Sequence, residues 1–289
     1  MSRDPEVLRY SAFAATPEGG NPAGVVLDAT GLDDEAMRRI AADVGYSETA
    51  FLVSRSSAAD ADADDPPRYR VRYWSPAAEV PFCGHATVAT AVALAESDGP
   101  GTTVFDTAAG AVTMRSTVDG DGAITVSFTS VEPQVRHLDA SVRDRLLALL
   151  GLDVADLDDR YPAREAFAGN WHPILVLADR DLFHQFRFAP ADVARLMREQ
   201  GWLGTVTVLH PTGPTDLEAR NLFPVGRITE DPATGSAAAS TGAYLRELGV
   251  AGSTVRIRQG AHVGRPSLLT VTIPTSGGIV VSGGAVAIG

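Results

Sequence analysis

Two periodicities alternate along the chain. Runs rich in β-branched and aromatic residues, RYSAF, GVVLD, TAFLVS, RYRVRYW, AVTMRS and AITVSFTS, predict strands through the first half, with DGDG as a turn between the last two. DDEAMRRIAADVG departs from that pattern. Its Leu32, Met37, Ile40 and Ala41 fall near one helical face, and Asp33 and Asp34 suit a helix N-terminus. In the second half SVRDRLLALLGL and APADVARLMREQG predict helices, whereas PILVLA, GTVTVLH, TVRIRQG and SLLTVTIP predict strands. The closing GGIVVSGGAVAIG alternates small and β-branched residues and reads as a last strand. No G-x-G-x-x-G opens a βαβ unit, which argues against a nicotinamide-binding Rossmann domain.

One pattern occurs twice. WSPAAEVPFCGHATVATAVALAES runs from a strand through a glycine-containing turn into an alanine-rich helix, and LFPVGRITEDPATGSAAASTGAYLREL does the same. Each turn places a glycine, Gly84 or Gly235, at the start of a helix of small side chains. Such a helix packs closely while directing unsatisfied N–H groups and its positive dipole end forward, an arrangement suited to an anion such as a substrate carboxylate. The simpler alternative is burial of both helices in the centre of two lobes, and the two readings are compatible.

Composition narrows the chemistry. The 289 residues carry a net charge of −12, which disfavours nucleic acid as a partner. All 24 basic residues are Arg, so a phosphate-gripping Walker lysine and a Schiff-base lysine are excluded. Cys83, the single cysteine, allows no intrachain disulfide, and the six histidines (85, 137, 172, 184, 210 and 262) show no metal-ligand spacing, so no metal is expected. No stretch approaches the roughly 18 apolar residues of a membrane span, and the opening MSRDPEVLRY has no apolar signal core; a cytoplasmic protein of two lobes is the expectation. Asp60, Asp62 and Asp64 have the spacing of half a calcium loop. Asp65 replaces its glycine and Val71 its closing glutamate, so this stretch reads as a solvated hairpin loop.

GNPAGVVLD, YSETAFLVS, PFCGHATVATA, EDPATGSAAA and QGAHVGRPSLL, in this order between residues 10 and 268, resemble the successive motifs of the PhzF family of phenazine-biosynthesis isomerases and their relatives. The resemblance implies an α+β, diaminopimelate-epimerase-like fold of two pseudo-symmetric lobes, each a curled β-sheet around a central helix, with the active site between them. The lobes are expected at residues 1–122, joined by a returning strand at 277–289, and at 123–276. The resemblance also implies a homodimer, no cofactor and a small carboxylated substrate.

The candidate site residues have both ordinary and functional readings. Glu48, on a β-rich run between Tyr46 and Phe51, is an exposed edge-strand residue or, facing a cleft, a partly desolvated proton shuttle. The family's acid/base glutamate occupies this S-E-T position. His85 at the first helix start either caps its turn or offers a neutral ring that donates one hydrogen bond and accepts another. Asp231 before Pro232 is a turn acid by local rules, whereas the resemblance places it in the site opposite the histidine. Ser236 is a helix N-cap or a carboxylate donor beside the N–H groups at Gly84 and Gly235, and Asn21 is first a turn signal and then a possible substrate contact. Two-base epimerases of this fold use a cysteine at each helix start. Here Cys83 fills one position and Pro232 the other, so a two-thiol mechanism is excluded, while a pairing of Cys83 with Glu48 or Asp231 stays open. The function these residues imply is a cofactor-independent isomerase in which Glu48 takes a proton and returns it to another carbon, assisted by His85 and Asp231. An epimerase or racemase using Cys83, and a non-catalytic anion-binding protein, are the alternatives.

Overall fold

Strand pairing repeats along the chain of the computed structural model, which describes residues 5–56, 65–226 and 228–289. The calcium-loop aspartates Asp60, Asp62 and Asp64 lie outside the described residues. Contacts divide the chain into two units, residues 1–129 with 282–289, and residues 130–281. Unit 1 contains β1 (Leu8–Ala12), β2 (Asn21–Val26), α1 (Asp34–Val44), β3 (Thr49–Arg55), β4 (Arg68–Trp74), β5 (Glu79–Val80), α2 (Gly84–Asp98), β6 (Thr102–Thr107), β7 (Gly110–Val118) and β8 (Ile124–Thr129). Unit 2 contains β9 (Gln134–His137), α3 (Ala140–Leu149), β10 (Arg164–Phe167), β11 (Trp171–Val176), α4 (Arg180–Gln185), α5 (Pro190–Gln200), β12 (Val206–Gly213), β13 (Asp216–Leu222), β14 (Glu230–Asp231), α6 (Gly235–Glu247), β15 (Ser253–Gln259) and β16 (Ser267–Ile273). β17 (Val280–Gly283) and β18 (Ala285–Ala287) end the chain, and β18 pairs antiparallel with β1.

In unit 1, β1–β2 is antiparallel, β2–β3 parallel and β3–β4 antiparallel; β4 then takes the short β5 antiparallel at one end and β6 parallel at the other, and β6–β7 is antiparallel. Unit 2 repeats this series with β10, β11, β12, β13, β14, β15 and β16 in the corresponding places. The two helix-start motifs occupy equivalent positions, α2 following β5 and α6 following β14. The duplicated motif in the sequence is therefore a duplicated fold.

Each central helix is enclosed. α2 touches β18 and β8, at opposite ends of the strand order, as well as β1, β2, β3 and β7 between them, so the sheet of unit 1 curls around it. α6 is held likewise by β9, β10, β11 and β16. A helix buried on all sides has no polar face, and its residues from His85 to Ala95 are all buried. Small side chains let the strands approach, and in α2 the buried Thr90 Oγ1 is satisfied within the helix, donating to the Ala86 carbonyl at 2.7 Å.

The amphipathic helices sit outside these centres. α1 begins at Asp33, whose carboxylate accepts the Ala36 N–H at 2.8 Å, and ends at Gly45 in the left-handed conformation (φ 75°). Its Met37 and Ala41 cover Val26, Phe51 and Trp74. α3, α4 and α5 bury Leu146, Phe183 and Leu196 in a second core with Leu175, Val208 and Trp202. The expected helices and strands form, except that the closing run expected as a single strand at 277–289 is divided at Gly284 into β17 and β18. Strand periodicity did not reveal β13, whose Arg220 and Asn221 are polar yet buried. Arg220 is paired with Glu230 on β14, and its guanidinium donates to the carbonyls of Phe183 and Phe186.

Gly242 on α6 tests the tightness of the enclosure. A Cβ there would lie 2.6 Å from Ile279 Cγ2 and 2.8 Å from Val271 Cγ1, both on stiff β-branched side chains. Alanine improves helix propensity by about 1 kcal/mol, but overpacking costs about 1–3 kcal/mol. Gly242→Ala is expected to lower stability in a denaturant titration; an increase would show that the enclosure yields.

Candidate active site

In unit 1 the candidate chemistry gathers where β3 and α2 begin. Glu48 immediately precedes β3, and its carbonyl accepts the Gly24 N–H of the neighbouring strand at 3.2 Å. That approach requires glycine: a Cβ on Gly24 would stand 2.5 Å from Thr49 Oγ1. The GNPAG motif thus fixes the backbone of the SET motif. Asn21, at the start of β2 opposite Ala12, is 2% exposed.

Cys83 is the residue before α2, in extended conformation (φ −142°, ψ 111°), and its side chain caps no helix N–H. Its Sγ lies 3.5 Å from Glu48 Oε2, 3.4 Å from His85 Nδ1 and 3.7 Å from His85 Nε2. His85 Nε2 lies 3.4 Å from Glu48 Oε2 and 3.4 Å from Ser47 Oγ. Cys83 and His85 are buried, while the Glu48 side chain keeps 22% exposure. The ligand atoms of Glu48, Cys83 and His85 all lie within 4.8 Å of one another, the geometry of a possible cation site. The first turn is held from behind. Thr87 Oγ1 donates to the Cys83 carbonyl at 2.6 Å, so Tyr73, 2.7 Å from the same hydroxyl, is the donor to it. Burial pushes the Tyr73 phenol up, which keeps that proton in place. With no acid in its first turn, α2 presents its positive end to Glu48 uncompensated by its own side chains.

In unit 2 the equivalent turn is clamped by side chains. Asp231 Oδ2 accepts the Thr234 hydroxyl at 2.5 Å. Gln259, the last residue of β15, donates to the Asp231 carbonyl at 2.6 Å and to Thr234 Oγ1 at 3.0 Å, and accepts the Thr234 N–H at 3.3 Å. Gly260 follows with φ 81°, and a Cβ there would stand 2.6 Å from the Pro232 carbonyl oxygen. The QGAHVG motif therefore closes over the EDPATG motif. Thr234, not Ser236, is the N-cap residue of α6, and Gly235 is its first helical residue.

Ser236 has a partner that local sequence rules did not identify. Its Oγ lies 3.1 Å from Nε2 of His172, which is fully buried on β11. His172 Nδ1 meets three polar groups of Thr205, the N–H at 3.0 Å, the carbonyl at 3.1 Å and Oγ1 at 3.0 Å, and Nε2 meets Ser236 Oγ. Both tautomers of the neutral ring therefore have partners at Nδ1, and the Ser236 hydroxyl accepts from Nε2–H in one and donates to Nε2 in the other. Thr205 is itself anchored, donating through Oγ1 to Asn221 Oδ1 at 2.8 Å. Burial pushes the His172 imidazole down to about 4, so it is neutral near pH 7. A lone histidine in WHPILV carries no local mark of this role. Gln259 lay within a recognised motif, but its contacts come from strand β15 reaching the turn of β14.

The structure thus groups Glu48 and His85, with Cys83, in unit 1, and Asp231, Gly235 and Ser236, with His172 and Gln259, in unit 2. Gly84 and Gly235 are each the first residue of a central helix.

The chain matches the PhzC-PhzF family, phenazine biosynthesis-like proteins, over residues 10–288. It is 31% identical over 287 residues to the uncharacterised isomerase YfhB of Bacillus subtilis, covering 96% of this chain and 94% of the relative. Among solved structures it resembles a phenazine biosynthesis protein of the PhzF family from Bacillus anthracis (27% identity, TM-score 0.81, 98% of each chain). It is similar to the same extent to a protein from Pseudomonas aeruginosa described as a predicted epimerase (26% identity, TM-score 0.81, 99% of this chain and 97% of the other). The architecture is accordingly of the diaminopimelate-epimerase-like kind.

His172 generates a pH prediction. The unfolded imidazole titrates near 6.5 and the folded one near 4, so protons bind the unfolded state preferentially between these values. Folding stability is unaffected by this group above 6.5 and falls as pH drops from 6.5 to 4, by on the order of 3 kcal/mol. Urea titrations across this window should show a smaller loss in His172→Asn than in the parent. Equal losses would mean that His172 is not held neutral.

Proposed function

Since the chain belongs to the PhzC-PhzF family of phenazine biosynthesis-like proteins, we propose that it is an isomerase that moves a proton between carbons of a small carboxylated substrate, with Glu48 as the acid/base. One observation carries the reading: the Glu48 carboxylate stands at the start of a buried helix with His85 Nε2 at 3.4 Å and Cys83 Sγ at 3.5 Å, while keeping 22% exposure. Glu48 takes the proton from a carbon next to an electron-withdrawing or conjugated group and returns it to another carbon of the same π-system. A single carboxylate serves both steps when the transfer stays on one face. His85, between Glu48 and the Cys83 thiol, orients the carboxylate and exchanges hydrogen bonds as its charge changes. In unit 2, Asp231 and the Ser236 hydroxyl are assigned to substrate polar groups, with the first N–H groups of α2 and α6 as carboxylate donors. His172 holds Ser236 Oγ at 3.1 Å; in the tautomer with its proton on Nε2, the serine proton is left for the substrate anion.

A second reading rests on Cys83. Inversion at one stereocentre needs acid/base groups on opposite faces of the reacting carbon; Glu48, 3.5 Å from the thiol, shares its side, so in this reading Cys83 acts from one face and the Asp231 carboxylate is assigned to the other. The two readings part in D₂O.

With trans-2,3-dihydro-3-hydroxyanthranilate as reference substrate, proton NMR is expected to show isomerisation by the parent and a loss of at least about 10²-fold in Glu48→Gln. Turnover undiminished in Glu48→Gln would overturn the reading. Deuterium entering a stereocentre without a double-bond shift, and lost in Cys83→Ser, would replace it with the epimerase. Ser236→Ala should raise KM on the order of 10- to 100-fold, the worth of one hydrogen bond to a charged group, with kcat changed much less. An unchanged KM would remove Ser236 from carboxylate binding.

A further inference from the structure

The contacts that gather Glu48, Cys83 and His85 have a second consequence. A tetrahedral zinc ion bound by one thiolate at about 2.3 Å, one imidazole nitrogen at about 2.05 Å and one carboxylate oxygen at about 2.1 Å sets its ligands about 3.6 Å (S to N), 3.6 Å (S to O) and 3.4 Å (N to O) apart. The corresponding distances here are 3.7 Å from Cys83 Sγ to His85 Nε2, 3.5 Å from Sγ to Glu48 Oε2 and 3.4 Å from Nε2 to Oε2. All three edges agree within about 0.2 Å, and because Sγ also lies 3.4 Å from His85 Nδ1, the imidazole turns about its side-chain bonds to aim the Nε2 lone pair at the ion.

The donor chemistry selects the cation. A thiolate and an imidazole favour zinc and its neighbours over magnesium and calcium, which take oxygen ligands. Support from behind is also present: the Cys83 carbonyl is held by Thr87, and the Glu48 carbonyl by Gly24. The partial exposure of Glu48 gives the ion a way in, and a fourth coordination position is left for water.

We propose that Glu48, Cys83 and His85 form a three-ligand site for a zinc-type divalent cation. Binding breaks the Cys83 S–H bond, releases its proton to solvent and forms the sulfur–metal, nitrogen–metal and oxygen–metal bonds, with no change of oxidation state. The ion turns Glu48 from a base into a ligand. On the reading of Glu48 as the acid/base, zinc is therefore a reversible inhibitor that competes for the same carboxylate.

The test is zinc titration of the chelator-treated full chain by calorimetry in two buffers of different protonation enthalpy, with cobalt(II) as an optical probe. One zinc per chain, buffer-dependent heat from proton release and a sulfur-to-cobalt charge-transfer band are expected. Cys83→Ser should abolish the band, and both Cys83→Ser and His85→Asn should weaken zinc binding about a hundredfold or more, beyond the loss typical of an outer-shell change. Circular dichroism matched to the parent establishes that each variant is folded. Absence of the band, or zinc binding unaffected by both variants, would overturn the site, the latter by pointing to another pair such as His184 and His262, 3.3 Å apart. These readouts do not require turnover. A failed Glu48 assignment with zinc still bound leaves the site standing, and a Glu48-dependent reaction without zinc binding removes the site alone.

Discussion

The structure depends on one packing constraint: a helix enclosed by a sheet that curls around it has no side from which a large or charged residue can reach water. α2 and α6 meet this condition with Ala, Gly, Ser, Thr and Val along nearly their whole buried lengths. The polar groups of such a helix then concentrate at its ends, where the first N–H groups have no partner within the helix. Enclosure thus positions the chemistry as well as the core. The residues just before each helix must return the chain from a two-residue strand, β5 or β14, into the helix axis, and Cys83, His85, Asp231 and Ser236 all lie in or directly beside this turn.

The same turn is supported differently in the two units. In unit 1 the support comes from within the helix: the Cys83 carbonyl is held by Thr87, whose hydroxyl is in turn met by Tyr73 of β4, while the Cys83 side chain faces Glu48 and His85. In unit 2 it comes from a neighbouring strand, Gln259 bonding three groups of the Asp231–Thr234 turn. Pro232 has no side-chain donor, and a glutamine on β15 carries out the ordering. Duplicated topology has therefore been kept while the chemistry has diverged. Unit 1 carries a thiol, an imidazole and a carboxylate in mutual contact; unit 2 carries a carboxylate and a serine hydroxyl in contact with a buried neutral histidine.

Burial fixes protonation where it is most complete. His172 is fully buried and stays neutral near pH 7, held at Nδ1 by Thr205 and at Nε2 by Ser236. Tyr73 stays protonated because its phenol is fully enclosed and donates to Thr87. His172 lies directly behind Ser236, and Tyr73 supports the Cys83 carbonyl through Thr87.

Much of the local structure was legible from spacing and residue type alone. RYRVRYW became β4 with the same bounds, DDEAMRRIAADVG became α1 with Asp33 as its cap, and the two glycine-started, alanine-rich segments became the two central helices. These are properties of a residue and its neighbours within a turn or two, where propensity and periodicity operate. β13 escaped because its buried Arg220 and Asn221 owe their burial to partners elsewhere, Glu230 and Thr205 among them. The Glu48, Cys83 and His85 contact joins segments 35 or more residues apart, and Ser236 meets His172 across 64. The sequence by itself determined every helix but the short α4, most strands, the duplication and the family motifs. Only the tertiary structure decided which donors face which acceptors, because hydrogen-bond direction depends on distances that strand pairing alone establishes.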